Sequence, residues 1–162
     1  MVIGIVGDTH NNLRNIEKIC EIFNSKKVDL VIHTGDITLP KSLLKFKKLN
    51  MKLIGVFGNN DQEEKKDLFE TAKKFNCELH DDPYFFSFDN QNITIVHDPS
   101  DINESIIKRS NIIFHGHTHR YRLDIVGKTL IFNPGECAGF MLGKNKIGFF
   151  DTEKEKISTV SF

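Results

Sequence analysis

Apolar residues recur along this chain in two rhythms. Short unbroken runs, Val2–Val6, Leu30–His33 and Met51–Phe57, read as buried strands. Between them the apolar positions spread to helical spacing: Leu13, Ile16, Ile19, Cys20 and Phe23 share one face of a segment from Asn12 to Lys26. Ser42–Leu49, with Pro40 near its start, and Asp61–Phe75 are the second and third predicted helices. A β-α-β-α-β order predicts parallel strands joined by right-handed crossovers.

The rhythm then tightens. Tyr84–Phe88, Asn92–Val96 and Ile112–Phe114 read as strands, with a short helix from Asp101 to Arg109 between the last two. Arg122–Val126, Thr129–Phe132, Lys146–Phe150 and Lys156–Val160 follow, joined by turns such as Val126–Gly127–Lys128. Short runs with tight connections predict antiparallel pairing. The expected fold is α/β bordering on α+β: two mixed sheets packed face to face with helices outside, in a single domain over residues 1–162. No internal repeat, linker or low-complexity stretch interrupts it.

Composition narrows the picture only a little. Charge is balanced, with 22 basic and 22 acidic residues, so nothing directs the chain as a whole toward nucleic acid or acidic surfaces. No apolar stretch is long enough to span a bilayer and no secretory signal is read, so a cytoplasmic location is expected. Cys20, Cys77 and Cys137 are odd in number and lack a C-x-x-C pair, which fits free thiols in a reducing compartment. Fourteen Phe and no Trp predict a Phe-rich core.

Chemistry gathers just past the strands. Asp8–Thr9–His10 follows the first apolar run, Gly35–Asp36 the second and Gly58–Asn59–Asn60–Asp61 the third. His97–Asp98 ends the run Ile93–Val96, and His115–Gly116–His117–Thr118–His119 follows Ile112–Phe114. In an extended segment, positions i and i+2 project from the same side, so His117 and His119 can converge. In open α/β sheets the ligand crevice lies beyond the carboxyl ends of the strands, where clusters far apart in sequence become neighbours. Imidazole with carboxylate makes a metal site the natural expectation.

The order D-x-H, G-D, G-N-x-D, H and G-H-T-H, followed by Asn133–Pro134–Gly135, resembles the calcineurin-like metallophosphoesterases, in particular the small prokaryotic YfcE-type phosphodiesterases. The likeness covers nearly the whole chain. It implies a four-layer sandwich and two divalent cations, Mn first, with Ni, Co, Fe or Zn as other choices. By position, Asp8, His10, Asp36 and His119 would hold one cation. Asp36, Asn59, His97 and His117 would hold the second, with Asp36 bridging and Asp61 orienting the site. The implied reaction is hydrolysis of a small phosphodiester by a water or hydroxide between the two metals, with Asp36, Asn59 and His97 acting through them.

Two departures shape the expectation. Asn60 stands where phosphoprotein-phosphatase relatives carry a histidine thought to protonate the leaving oxygen, and a neutral amide cannot supply that proton. Asp98 replaces the glycine that usually follows the fourth motif's histidine; it reads as a turn residue before Pro99, with a carboxylate that contacts the metal or repels a substrate phosphate as the alternative. Glu136 after N-P-G is a milder change. Outside the motifs, His33 reads as a packed strand residue, His115 as strand-terminal, and His80–Asp81–Asp82 as an exposed turn. Lys41 reads as a surface residue that could approach a phosphate. Other functional readings are a phosphomonoesterase or a non-catalytic metal-binding scaffold like the retromer-subunit branch. Homodimerisation is open on general grounds.

Overall fold

The computed structural model describes residues 1–162. In chain order the elements are β1 (Val2–Val6), α1 (Leu13–Lys26), β2 (Leu30–His33), α2 (Pro40–Lys45), β3 (Lys52–Val56), α3 (Lys65–Ala72) and β4 (Cys77–His80). Then come β5 (Tyr84–Phe88), β6 (Gln91–Ile95), α4 (Glu104–Arg109), β7 (Ile112–Phe114), β8 (Arg122–Val126), β9 (Thr129–Asn133), β10 (Lys146–Asp151) and β11 (Lys156–Ser161). They form a six-stranded sheet in the order β11-β10-β1-β2-β3-β4 and a five-stranded sheet in the order β5-β6-β7-β9-β8.

Three apolar interfaces separate four layers. Ile16, Ile19 and Phe23 of α1, with Leu43 and Leu68, cover Val31, Leu53 and Leu79 on the outer face of the six-stranded sheet. Ile3, Ile5 and Ile32 face Ile93, Ile95, Phe114 and Phe132 between the sheets. Ile106 of α4 covers Ile113 and Ile131 on the far side. Phe114 and Phe132, both fully buried, meet edge-on with centroids 6.3 Å apart. Truncating either to Ala would cost about 3–5 kcal/mol.

Caps explain most helix boundaries. Asn12 is not the first residue of α1 but its N-cap, accepting from the Asn15 N–H, and Lys27 ends the helix in the left-handed conformation at φ 52°. Asn103 caps α4 in the same way, so the predicted helix from Asp101 starts later, after a 3-10 turn at Pro99–Asp101. The third helix starts at Lys65 rather than Asp61, because the Asp61 carboxylate is committed to backbone N–H groups of neighbouring loops. The second ends at Lys45 and tightens into a 3-10 turn at Phe46–Lys48.

Two sequence expectations need correction. Cys77–His80 forms β4, a parallel edge strand beside β3, so His80 closes a strand instead of opening an exposed turn. Its ring is half-buried and stacks on Tyr84 with centroids 3.6 Å apart. The five-stranded sheet is also less antiparallel than the short runs suggest, because β6–β7 and β7–β9 are both parallel. The α4 crossover carries the chain back before β7. The β8–β9 hairpin then enters with β9 on the inside, so β9 runs alongside β7 in the same direction. The carboxyl ends of β1, β2, β3, β6 and β7 are where every motif cluster begins.

Candidate metal centre

Asp8 and His10 leave β1 on a loop stitched to the one that follows β2. The Asp8 N–H donates to the Gly35 carbonyl at 3.1 Å, and the His10 N–H to the Asp36 carbonyl at 2.9 Å. Asp8, His10, Asp36, His117 and His119 all hold φ between 44° and 67°, the left-handed region. Asp and His tolerate that region better than most residues, yet each instance costs about 1–3 kcal/mol. Strain repeated at five site positions marks a geometry held in place by its surroundings.

Asp61 supplies much of that hold. Its buried carboxylate accepts N–H bonds from Asp36 (2.9 Å), Ile37 (2.8 Å), Thr38 (2.6 Å) and Gly58 (2.7 Å). Burial raises the Asp61 pKa, and the N–H donors of Gly58, Thr38 and Asp36 offset part of that rise. Gly58 belongs where it is: a Cβ there would sit 2.2 Å from Asp36 Oδ1 and 2.5 Å from the Asp36 nitrogen. The 3-10 turn Asn59–Asp61 thereby closes directly over Asp36.

The side chains fall into two groups about Asp36. In the first, ligand atoms of Asp8, His10, Asp36 and His119 all lie within 4.8 Å of one another. Asp8 and Asp36 are buried, and burial followed by the neighbouring charge of Asp36 pushes Asp8 up to about 8. Asp8 Oδ2 and His10 Nε2 are shielded from solvent yet make no hydrogen bond. Burial lowers the His119 pKa, keeping that ring neutral with a lone pair to offer.

In the second group, Asn59 Oδ1 lies 2.9 Å from His97 Nε2 and 3.0 Å from His117 Nδ1, while His97 Nε2 lies 3.5 Å from Asp36 Oδ1. His97 Nδ1 donates to the Thr34 carbonyl at 2.9 Å, so in the neutral ring Nε2 carries the lone pair. Three Lewis-basic atoms therefore converge on one point. The far nitrogen of His117 is 3.6 Å from Asp98 Oδ2. Asp98 also accepts from the Ser100 N–H, the main cause of its lowered pKa, so it stays ionised beside His117.

Both groups suit divalent cations. A pair of buried carboxylates with unsatisfied donor atoms needs a proton or a cation between them. The set of carboxylate, imidazole and amide oxygen without thiolate fits first-row divalent metals.

The motif residues Asp8, His10, Asp36, Asn59, His97, His117 and His119 thus come together, with Asp61 beneath them. Asn60 is exposed, and its side-chain amide donates to Asp36 Oδ2 at 2.8 Å. Thr9 and His33 have a shared role. The Gly35 N–H donates to His33 Nδ1 at 3.1 Å, which leaves Nε2 as the donor to Thr9 Oγ1 at 3.0 Å. Burial holds the His33 pKa down to about 3, so the ring links two loops as a neutral group. His115 is buried apart from both clusters, its pKa lowered by burial to about 4, and Lys41 is exposed.

Three further groups contribute to the site, and the sequence assigned none of them a role there. The Thr34 carbonyl is backbone and leaves no trace in residue identity. Glu136 is fully buried, raises the Asp8 pKa, and accepts from the Phe140 and Met141 N–H groups. Phe140 stacks on His119 with centroids 5.6 Å apart, from a loop that carries no periodic signal.

Two buried carboxylates and a ring of imidazoles at the carboxyl ends of strands in two stacked mixed sheets define a metallophosphoesterase-like architecture. The chain belongs to the calcineurin-like phosphoesterase superfamily, whose domain model matches residues 1–155. It is 39% identical over 160 residues to a phosphodiesterase of Methanocaldococcus jannaschii, covering 96% of each chain. A solved archaeal phosphodiesterase superposes with a TM-score of 0.88 at 35% identity, over 100% of both chains. The Escherichia coli YfcE phosphoesterase shares the fold, with a TM-score of 0.74 at 18% identity over 99% of both chains.

Proposed function

We propose that this protein is a phosphodiesterase acting on small phosphodiesters with two divalent cations, one in each cluster, sharing Asp36. The observation that carries the reading is the gathering of Asp8, His10, Asp36 and His119 within 4.8 Å, with Asn59, His97 and His117 on the other side of the same carboxylate. Cations bound there would lower the pKa of a water and polarise phosphoryl oxygens. Manganese is the first choice, and the donor set also admits Ni, Co, Fe or Zn. The identity to a protein named a phosphodiesterase supports diesters over monoesters.

The chain's own residues then set position and protonation. Asp61 fixes the backbone beneath Asp36, the Thr34 carbonyl fixes the His97 ring, and Asp98 lies 3.6 Å from the far nitrogen of His117. Nothing in this set delivers a proton to the leaving oxygen. Asn60 occupies the motif position that carries a histidine in phosphoprotein-phosphatase relatives, but its amide is bonded to Asp36 and does not ionise. A general acid typically contributes about 10²–10⁴-fold, and its absence weighs most on poor leaving groups. The rate should therefore depend steeply on the leaving-group pKa.

The test is hydrolysis of bis(p-nitrophenyl) phosphate with added Mn²⁺, with Asp36→Asn as control. The wild type should turn over and the variant should not, and p-nitrophenyl phosphate should be the slower substrate. Equal residual rates in the two proteins would overturn the catalytic reading. Faster turnover of the monoester would overturn the preference for diesters.

A further inference from the structure

The five-stranded sheet ends on β8, an edge strand with neither proline nor bulge. Its pairing with β9 runs unbroken from Arg122↔Asn133 to Val126↔Thr129. Directly opposed residues of an antiparallel pair share a face. Leu123 and Ile125 therefore lie on the same face as their partners Phe132 and Leu130, which pack between the two sheets. That face goes uncovered at β8: Tyr121, Leu123 and Ile125 are 49%, 42% and 73% exposed. Every second residue of β8 also turns its N–H and C=O away from β9. The result is an apolar strip running along a free hydrogen-bonding edge.

The other face of the strand carries Arg122 and Asp124, bonded to each other through Arg122 Nε at 2.6 Å. We propose that β8 pairs antiparallel with β8 of a second copy of this chain, about a two-fold axis at Leu123, joining the two five-stranded sheets into one. Symmetry and charge select this register together. A two-fold axis perpendicular to the sheet must pass through a residue facing its own copy. An axis at Arg122 or at Asp124 sets like charges directly against each other, which is destabilising. An axis at Leu123 sets Arg122 opposite Asp124 of the second copy, twice over, and Tyr121 opposite Ile125. Charges of opposite sign meet on one face and apolar side chains on the other.

This pairing does not depend on the metal centre, and no β8 residue belongs to either cluster. Sedimentation equilibrium of the full chain should give a mass twice 18.6 kDa at micromolar concentration. Ile125→Lys should leave a monomer. Arg122→Asp should raise the dimer dissociation constant roughly tenfold, by turning two attractive cross-strand pairs into repulsive ones. The double reversal Arg122→Asp with Asp124→Arg restores complementarity and should restore the dimer. Leu123→Cys should be cross-linked to its own copy by a short bismaleimide, whereas the native cysteines are buried. Circular dichroism of each variant should match the wild type, because the altered side chains lie at the surface. A wild-type monomer would overturn the proposal. So would a dimer unaffected by Ile125→Lys, or one that the double reversal fails to rescue.

Discussion

The two halves of the candidate metal centre each carry a pair of imidazoles about Asp36 but are built to different standards. Around Asp8 and Asp36 both carboxylates are buried, two polar atoms lack any partner, and four ligand groups fall within 4.8 Å. Around Asn59 the groups are an amide and two imidazoles. Asn59 is exposed and the His117 side chain is 40% accessible, and Asp36 is the carboxylate that approaches the ligand atoms, 3.5 Å from His97 Nε2. Cation affinity follows ligand charge and rigidity. If both halves bind cations as proposed, one would be a tight, desolvated site and the other a weaker, open one.

The largest effect should come from removing what the halves share. Asp36→Asn should lower phosphodiesterase activity by more than about 100-fold, beyond the range seen for groups that merely orient ligands, and should weaken cation binding in both halves. Isothermal titration with Mn²⁺ alongside a diester assay checks this. Next come the supporting carboxylates, which separate the halves. Asp61→Asn should weaken both binding events by about 10–100-fold and lower chemical-denaturation stability by about 1–3 kcal/mol, because four N–H donors converge on that carboxylate. Asp98→Asn alters the neighbour of His117 and the cap of the Pro99–Asp101 turn but no ligand of the first cluster, so it should weaken the second event by about tenfold and leave the first unchanged.

A pH titration sharpens the contrast further. Asp8 is raised to about 8 by burial and by Asp36, so below that pH the first cation must displace its proton. First-site affinity should rise about tenfold per pH unit between pH 6.5 and 8 and level off above. The sign for stability is opposite. A raised carboxyl pKa favours the metal-free fold at low pH, and that contribution is lost as pH climbs from 3.8 through about 8. Asp8→Asn should therefore raise the metal-free melting temperature at pH 8, by about 2–4 °C for each kcal/mol relieved, while abolishing the tight site. His33 and His115 act at the other end of the scale. With folded pKa values of about 3 and about 4, they are stabilising while neutral, and that contribution is lost as pH falls below 6.5.

The residues of the centre were legible because each sits just past an apolar run, where a parallel strand delivers its loop. The pairing that brings them together was not. Antiparallel strands in the second sheet would have sent the loops after β6 and β7 to opposite ends, separating His97 from His117. The parallel order depends on the α4 crossover and on β9 entering inside β8, and short apolar runs encode neither. β4 was hidden because Cys77–His80 is a short edge strand with one polar face, directly after a helix. Asp61 looked like a helix start, since a lone carboxylate before an amphipathic segment usually is one. Its four backbone donors come from loops that only the fold makes neighbours.

The central claim is that two unequal cation sites share one carboxylate. It is tested most directly by counting Mn²⁺ bound per chain, by equilibrium dialysis with elemental analysis, for the wild type and for Asn59→Ala. The expected result is two ions of distinct affinity in the wild type, and a single ion of unchanged tight affinity in the variant. One ion per wild-type chain, or two retained in Asn59→Ala, would contradict it.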